Sequence, residues 1–207
     1  YYHPMLDLGR HLMRMLAVSL SMERDFFDAA YIEPAGTLRL LRYPPHPEDA
    51  LPNQLGSGAH TDFGSITLLA QDDCGGLEVE NAAGEWLRAD PIPGTFVINL
   101  GDMFAMWTND LYTSNLHRAM NMSGKARLSA AFFTGPDPDT MIQCLPGCHG
   151  PGNPPRYEPI RAARWPRRII FRCCFSRCST RWSGRCAGCA RPPSRSSGCA
   201  RRSRPHR

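Results

Sequence analysis

His60-Thr61-Asp62-Phe63-Gly64-Ser65-Ile66-Thr67-Leu68-Leu69 places an H-x-D pair directly ahead of a β-branched, apolar run. In extended chain alternate side chains share a face, so His60 and Asp62 point one way and Thr61 the other. One imidazole and one carboxylate can then share a metal ion at the mouth of a strand. His117, in Ser114-Asn115-Leu116-His117-Arg118, supplies a third ligand 55 residues past Asp62, ahead of another strand-like run. Ten residues beyond His117, Arg127-Leu128-Ser129 repeats the i, i+2 arrangement and puts a guanidinium and a hydroxyl on one face. Those are the groups of a carboxylate clamp.

Around this stretch the hydrophobic pattern has the period of strands. Residues 37–43 alternate and are stopped by Pro44-Pro45, which cannot extend a sheet. Residues 44–58, rich in Pro, Asn and Gly, read as a loop that delivers the chain to His60. Further strands are expected at 66–71, 77–80, 86–88, 95–100, 103–107, 116–122 and 127–134, separated by turns such as Asp72-Asp73-Cys74-Gly75-Gly76 and Pro91-Ile92-Pro93-Gly94. Upstream, Leu8, Leu12, Met15, Leu16 and Leu20 recur at helical spacing, and a second short helix is expected through Phe26, Phe27 and Ala30 with Ser21 as its N-cap. Short strands without intervening helices exclude a βαβ fold. They predict a mainly β protein with flanking N-terminal helices, a double-stranded β-helix (jelly roll, cupin-like), which sets strands distant in sequence side by side.

Two histidines and one carboxylate, with the remaining positions open, form the arrangement that non-haem Fe(II) oxygenases use. Zinc hydrolases accept similar ligands but need a general base, and the chain has no H-E-x-x-H. The Arg127/Ser129 pair favours iron chemistry, because it can anchor the far carboxylate of a dicarboxylate whose other end chelates the metal, with Tyr43 as a third donor. Singly, each residue has a plain reading: Arg127 a surface charge, Ser129 a small strand residue, Tyr43 a core aromatic, Asp102 a turn residue. Trp86, Phe96, Phe104, Trp107, Phe132 and Phe133 read as core, and Arg118 as one half of a structural ion pair on the face opposite His117. His3, His11 and His46 read as solvated.

Composition divides the chain. Residues 1–160 hold 10 Lys and Arg against all 19 Asp and Glu, whereas residues 161–207 hold 14 Arg and no acid. Cys74, Cys144 and Cys148 lie in the body, too scattered for a disulfide framework, and they indicate a reducing compartment, the cytoplasm. No apolar run reaches membrane-spanning length, so no membrane partner is expected. Tyr1-Tyr2-His3-Pro4 is neither a signal peptide nor a natural start, and a missing front end is expected.

The chain resembles the 2-oxoglutarate- and Fe(II)-dependent dioxygenases of the isopenicillin N synthase-like group over roughly residues 1–160. The likeness is carried by His60 to Leu69, Gly75-Gly76-Leu77-Glu78, Val97-Ile98-Asn99-Leu100-Gly101-Asp102, Trp107-Thr108-Asn109-Asp110 and His117-Arg118. The resemblance implies a jelly-roll core, His60, Asp62 and His117 as iron ligands, and Arg127, Ser129 and Tyr43 as the 2-oxoglutarate site. Implied cofactors are Fe(II), 2-oxoglutarate and O₂, with ascorbate as a candidate reductant. Implied chemistry is oxidation of a small organic molecule with release of succinate and CO₂. The alternatives are an isopenicillin N synthase-type oxidase, an ethylene-forming enzyme, or an inactive jelly-roll fragment that binds a partner. Plant members often carry Asn two residues before the tyrosine, where this chain has Leu41. The N-terminal domain and C-terminal helix of the family are not recognisable.

The expected organisation is a helical flank over 1–34, the oxygenase jelly roll over 35–160, and a disordered Arg/Cys-rich tail over 161–207. The tail's Arg, Cys, Ser, Pro and Gly match GC-rich codons read out of frame, and a frameshift near residues 160–164 would account for it. A nucleic-acid arm or a zinc module on Cys186 and Cys189 is the less favoured reading, for want of lysine and of paired knuckles.

Overall fold

A computed structural model describes residues 1–49 and 55–165 of the chain. The chain starts with helix α1 (Tyr2–Ser19), which buries Met5, Gly9, Met13 and Ala17 at intervals of four. The buried stripe is thus centred one position away from the expected leucines. Leu8, Leu12, Leu16 and Leu20 flank it, and Met15 faces solvent. Ser21 does not cap a second helix. It stands in the left-handed region at φ 58° and closes α1: its own N–H reaches Val18 O, and Met22 N–H reaches Ala17 O, the double bond that satisfies the last free carbonyls. Only a 3-10 turn, Asp28–Ala30, follows.

The strands are β1 (Ala35–Tyr43), β2 (Ser57–His60), β3 (Ile66–Gln71), β4 (Leu77–Glu80), β5 (Trp86–Arg88) and β6 (Val97–Leu100). After helix α2 (Asp102–Trp107) come β7 (His117–Ala119), β8 (Arg127–Gly135), β9 (Met141–Ile142) and β10 (Ile160–Arg161). Two four-stranded antiparallel sheets form, in the orders β1-β8-β3-β6 and β2-β7-β4-β5, with β9 and β10 as a separate pair. This is the double-stranded β-helix.

The main core lies between the outer face of the first sheet and the helices. Ile66, Leu68 and Phe132 project from β3 and β8 against Met13 of α1, Phe104 of α2 and Phe27 of the connecting turns. Gly9 lets α1 approach β8 closely, since a Cβ there would stand 3.3 Å from Thr134 Cγ2.

Three expectations are corrected. Residues 103–107 are helical, not extended: Met103, Phe104, Ala105, Met106 and Trp107 are all buried, and a short run buried on every side carries no periodicity to distinguish helix from strand. The end of the expected loop, residues 57–58, belongs to a strand with residues 59–60 that pairs with β7 despite the poor strand formers Ser57, Gly58 and Ala59. The ordered body extends past 160, because Ile160 and Arg161 pair with Ile142 and Met141, and buried Trp165 donates its indole N–H to Phe63 O at 2.9 Å. The arginine-rich arm and the Cys186/Cys189 zinc reading lie outside the described residues. Among the described residues no helix is long and apolar enough to cross a membrane.

Candidate functional site

The two sheets enclose a cavity of about 200 Å³. It is lined by β1, β3, β6 and β8 of the first sheet and by β2, β4 and β7 of the second. His60 ends β2 and stands directly opposite His117 of β7, with ring centres 4.3 Å apart. Asp62 follows β2 on an irregular turn, not within a strand, yet its carboxylate reaches the same point. One nitrogen of each imidazole and one oxygen of Asp62 lie within 4.8 Å of one another.

The donor set suits a divalent metal. Nδ1 of His60 lies 2.7 Å from Gly58 O and Nδ1 of His117 3.1 Å from Asn115 O. A carbonyl can only accept, so Nδ1 carries the proton on both rings and Nε2 keeps its lone pair for an ion. His117 Nε2 stands 3.5 Å from Asp62 Oδ1. Burial opposes charge on both groups, but their mutual attraction outweighs it. The Asp62 pKa lies below its ordinary value, helped by Thr67 and Asn99, and that of His117 lies above 6.5.

Backbone bonds fix the turn that carries Asp62. Asp62 O accepts from Asp102 N at 2.7 Å, Ser65 O from Gly101 N at 2.9 Å, and Ser65 N donates to Thr134 O at 2.9 Å. Chain crosses chain here without side chains between: a Cβ on Gly101 would overlap the Gly64 carbonyl, and one on Gly64 would sit 2.7 Å from Thr134 O. Asp102, read from sequence as a turn residue, begins α2 and accepts from Thr61 Oγ1 at 3.2 Å. Burial pushes its pKa up.

Arg127 and Ser129 alternate with exposed Leu128 on β8 and share the inward face. Arg127 is 1% exposed. Its Nε donates to Gly75 O at 2.6 Å and an Nη to Gln71 Oε1 at 2.8 Å, both neutral acceptors. Among the described residues no carboxylate comes within ion-pair distance of it. A desolvated cation with neutral partners only is costly, and an anionic ligand would offset that cost. Ser129 Oγ is buried with no hydrogen-bond partner among the described residues. Tyr43, paired with Arg127 across β1 and β8, meets it through its ring, the guanidinium carbon 4.9 Å from the ring centre. An open triad at one end, and at the other a buried guanidinium hydrogen-bonded only to neutral groups beside an orphaned hydroxyl, fit a metal-chelating dicarboxylate.

Sequence reading missed four contributors. Gln71 and the Gly75 carbonyl hold Arg127, Asn99 Nδ2 donates to Asp62 Oδ2 at 3.4 Å, and Phe133, taken as core, lines the cavity. A polar residue at an inward position of an apolar strand was the available signal for Gln71 and Asn99. Arg118 behaves as expected, its Nε 2.6 Å from Glu78 Oε2.

Residues 34–136 match the sequence pattern of the 2OG-Fe(II) oxygenase superfamily. A 2-oxoglutarate-Fe(II) type oxidoreductase, hxnY, of Emericella nidulans is 45% identical over 163 residues, 77% of this chain and 46% of that protein. A homoarginine-6-hydroxylase of Oryza sativa subsp. japonica is 40% identical over 167 residues, 77% of this chain and 50% of its own length. Among solved structures, a full-length Neurospora crassa protein in complex with alpha-KG and thymine superposes with a TM-score of 0.76 at 33% identity, over 81% of this chain and 53% of that one. The chain spans about half the length of the curated relatives it matches. On sequence and fold together, it belongs to the 2OG-Fe(II) oxygenase superfamily.

Proposed function

We propose that this chain is the catalytic core of a non-haem Fe(II)- and 2-oxoglutarate-dependent oxygenase that oxidises a small organic molecule. One observation carries the reading: an open cluster of two imidazoles and a carboxylate shares a cavity with a buried guanidinium that has no carboxylate within ion-pair distance among the described residues. His60, Asp62 and His117 would hold the iron, each histidine through Nε2 because its Nδ1 proton is committed to a backbone carbonyl. Arg127 would take the far carboxylate of 2-oxoglutarate, with Ser129 Oγ adding a hydrogen bond and the Tyr43 ring fixing the guanidinium. Iron with 2-oxoglutarate and O₂ would supply the oxidising power, with succinate and CO₂ as coproducts. The protein supplies geometry: Asn99 steadies the carboxylate of Asp62, and the apolar lining of Leu69, Leu77 and Ala131 excludes water around the cosubstrate.

The small molecules associated with related proteins are chemically diverse: homoarginine for the rice hydroxylase, and thymine bound beside alpha-KG in the Neurospora complex. A small-molecule substrate is therefore part of the proposal. So is a cytoplasmic location, in keeping with three free thiols at Cys74, Cys144 and Cys148. No nucleic-acid partner is assigned. Anaerobic titration with Fe(II) and 2-oxoglutarate tests the reading through the metal-to-ligand charge-transfer band. The band is expected only when both are present. Its absence, or its persistence after His117→Ala, would overturn the assignment.

A further inference from the structure

Arg39 is a charged group in the cavity that the proposed chemistry leaves unused. Three guanidiniums line the space. Arg127 is held by Gly75 and Gln71, and Arg118 is paired with Glu78 and lies 4.0 Å over the Trp86 ring. Arg39 is exposed and, among the described residues, has no hydrogen-bond or ion-pair partner.

Its position on β1 places it between the two ends of the site. Arg39, Leu41 and Tyr43 share the inward face and pair with Ala131, Ser129 and Arg127 of β8. Arg39 is therefore four residues from the Arg127 level, roughly 13 Å along a strand, too far along to be part of the same clamp. In the other direction Ala131 pairs with Leu69, and the next inward residue of β3, Thr67, pairs with Asn99, which contacts Asp62. Arg39 so projects into the cavity from the edge strand β1, two residues along from the level of Thr67 and Asn99.

Beyond it lies an apolar groove of about 360 Å³ whose lining includes Phe63, Phe133 and Trp165. Phe133 lines both spaces, and Thr37 of the groove is the next inward residue of β1 after Arg39, so the groove adjoins the cavity at Arg39. The indole N–H of Trp165 is already committed to Phe63 O, which leaves mainly carbon facing the groove. The one carboxylate among the described residues lining the cavity is Asp62, so nothing there is free to receive a cationic end.

We infer that Arg39 takes a carboxylate of the substrate and that the groove past Phe133 takes its body, so that the molecule oxidised is a small organic acid with an apolar or aromatic frame. The inference rests on the oxygenase reading and names its substrate class. Arg39 thereby becomes a specificity-determining residue, and a planar anion suits its fork.

The test uses the full chain, loaded anaerobically with Fe(II) and saturating 2-oxoglutarate so that Arg127 is occupied. Phenylacetate and phenylacetamide, then hexanoate and hexanamide, are titrated against wild type, Arg39→Met and Arg39→Lys, with calorimetry and perturbation of the charge-transfer band as readouts. Each acid should bind at least about tenfold tighter than its amide to wild type, a gap of roughly 1.4 kcal/mol. Arg39→Met should erase the preference with 2-oxoglutarate affinity unchanged, and Arg39→Lys should restore part of it. No acid-over-amide preference in wild type for either pair, or a preference that survives Arg39→Met, overturns the inference. So does loss of 2-oxoglutarate affinity in Arg39→Met, which would assign the residue to the cosubstrate. Failure of wild type to bind 2-oxoglutarate with the metal is seen before any acid is added, and it defeats the oxygenase reading and with it this one.

Discussion

The two sheets of the β-helix are unequal. The β1-β8-β3-β6 sheet has two nine-residue strands and buries its outer face under α1 and α2. The β2-β7-β4-β5 sheet is built from strands of three and four residues, and β2 meets β7 through a register shift between Ser57 and His60. Arg127 and Ser129 belong to the long sheet; His60 and His117 belong to the short one. A long, regular, buried strand can desolvate a guanidinium and hold it still. Short strands ending at an opening leave the His60 imidazole exposed to solvent, with His117 buried behind it. On the proposed reading, stability and cosubstrate recognition would be concentrated on one side, and the two imidazoles of the metal site on the other.

Truncation of the long sheet's outer face is expected to do the most damage. Phe132 is 0% exposed and packs edge-on against Tyr2, so Phe132→Ala should cost about 3–5 kcal/mol in denaturant unfolding. Leu87→Ala, on exposed β5 of the short sheet, should cost less than about 1 kcal/mol. Equal losses would break the contrast. Next comes metal capture: His117→Ala should lower Fe(II) affinity by at least about 100-fold, more than about 2.7 kcal/mol, while the unfolding midpoint of the metal-free protein moves little. Calorimetry with Fe(II) under argon measures the first quantity, and an unchanged affinity would remove His117 from the site.

A smaller effect should separate the two halves most cleanly. Arg127→Lys keeps the charge but loses the planar fork, and 2-oxoglutarate should bind about tenfold more weakly, roughly 1.4 kcal/mol, with iron affinity unaltered. If iron affinity falls in parallel, the two sheets are not independent in function. The effect of pH is graded. Metal binds unprotonated imidazole, and the raised pKa of His117 lets protons compete from above 6.5 downward. Fe(II) affinity should therefore fall as pH is lowered through that range, by at most about tenfold per unit for each proton displaced. In the metal-free fold the sign reverses: the protonated His117 paired with Asp62 contributes stability at low pH that is lost as pH rises through its raised value. An affinity flat from pH 8 to pH 6, roughly the span over which the imidazole titrates, would contradict both statements.

The same inequality explains what could be read in the chain. The long sheet announces itself: β3 at Ile66–Gln71 and β8 at Arg127–Gly135 carry alternation or β-branched runs bounded by turn residues, and both were legible within a residue. In the short sheet, β4 and β5 are legible as the runs 77–80 and 86–88, but Ser57–His60 is not, because its strand state comes from pairing with β7 and not from its own propensity. Helix α2 was missed because burial on all sides erases the period. The site residues stood out through i, i+2 spacing. Arg39 was overlooked, although the same parity rule that links Arg127 to Ser129 puts it on one face with Leu41 and Tyr43.

The bare crossing of Gly64 and Gly101 bears on how tolerance to substitution would be distributed. Neither residue offers an atom to a metal or a ligand, yet any side chain at Gly101 would wedge the turn of Asp62 away from the start of α2. A saturation library selected for activity should thus deplete these two glycines as strongly as His60 or His117. The same library selected only for soluble expression should deplete the glycines and spare the histidines. Positions that perform chemistry and positions that hold its geometry would then be told apart by the difference between two selections, with no ligand in hand.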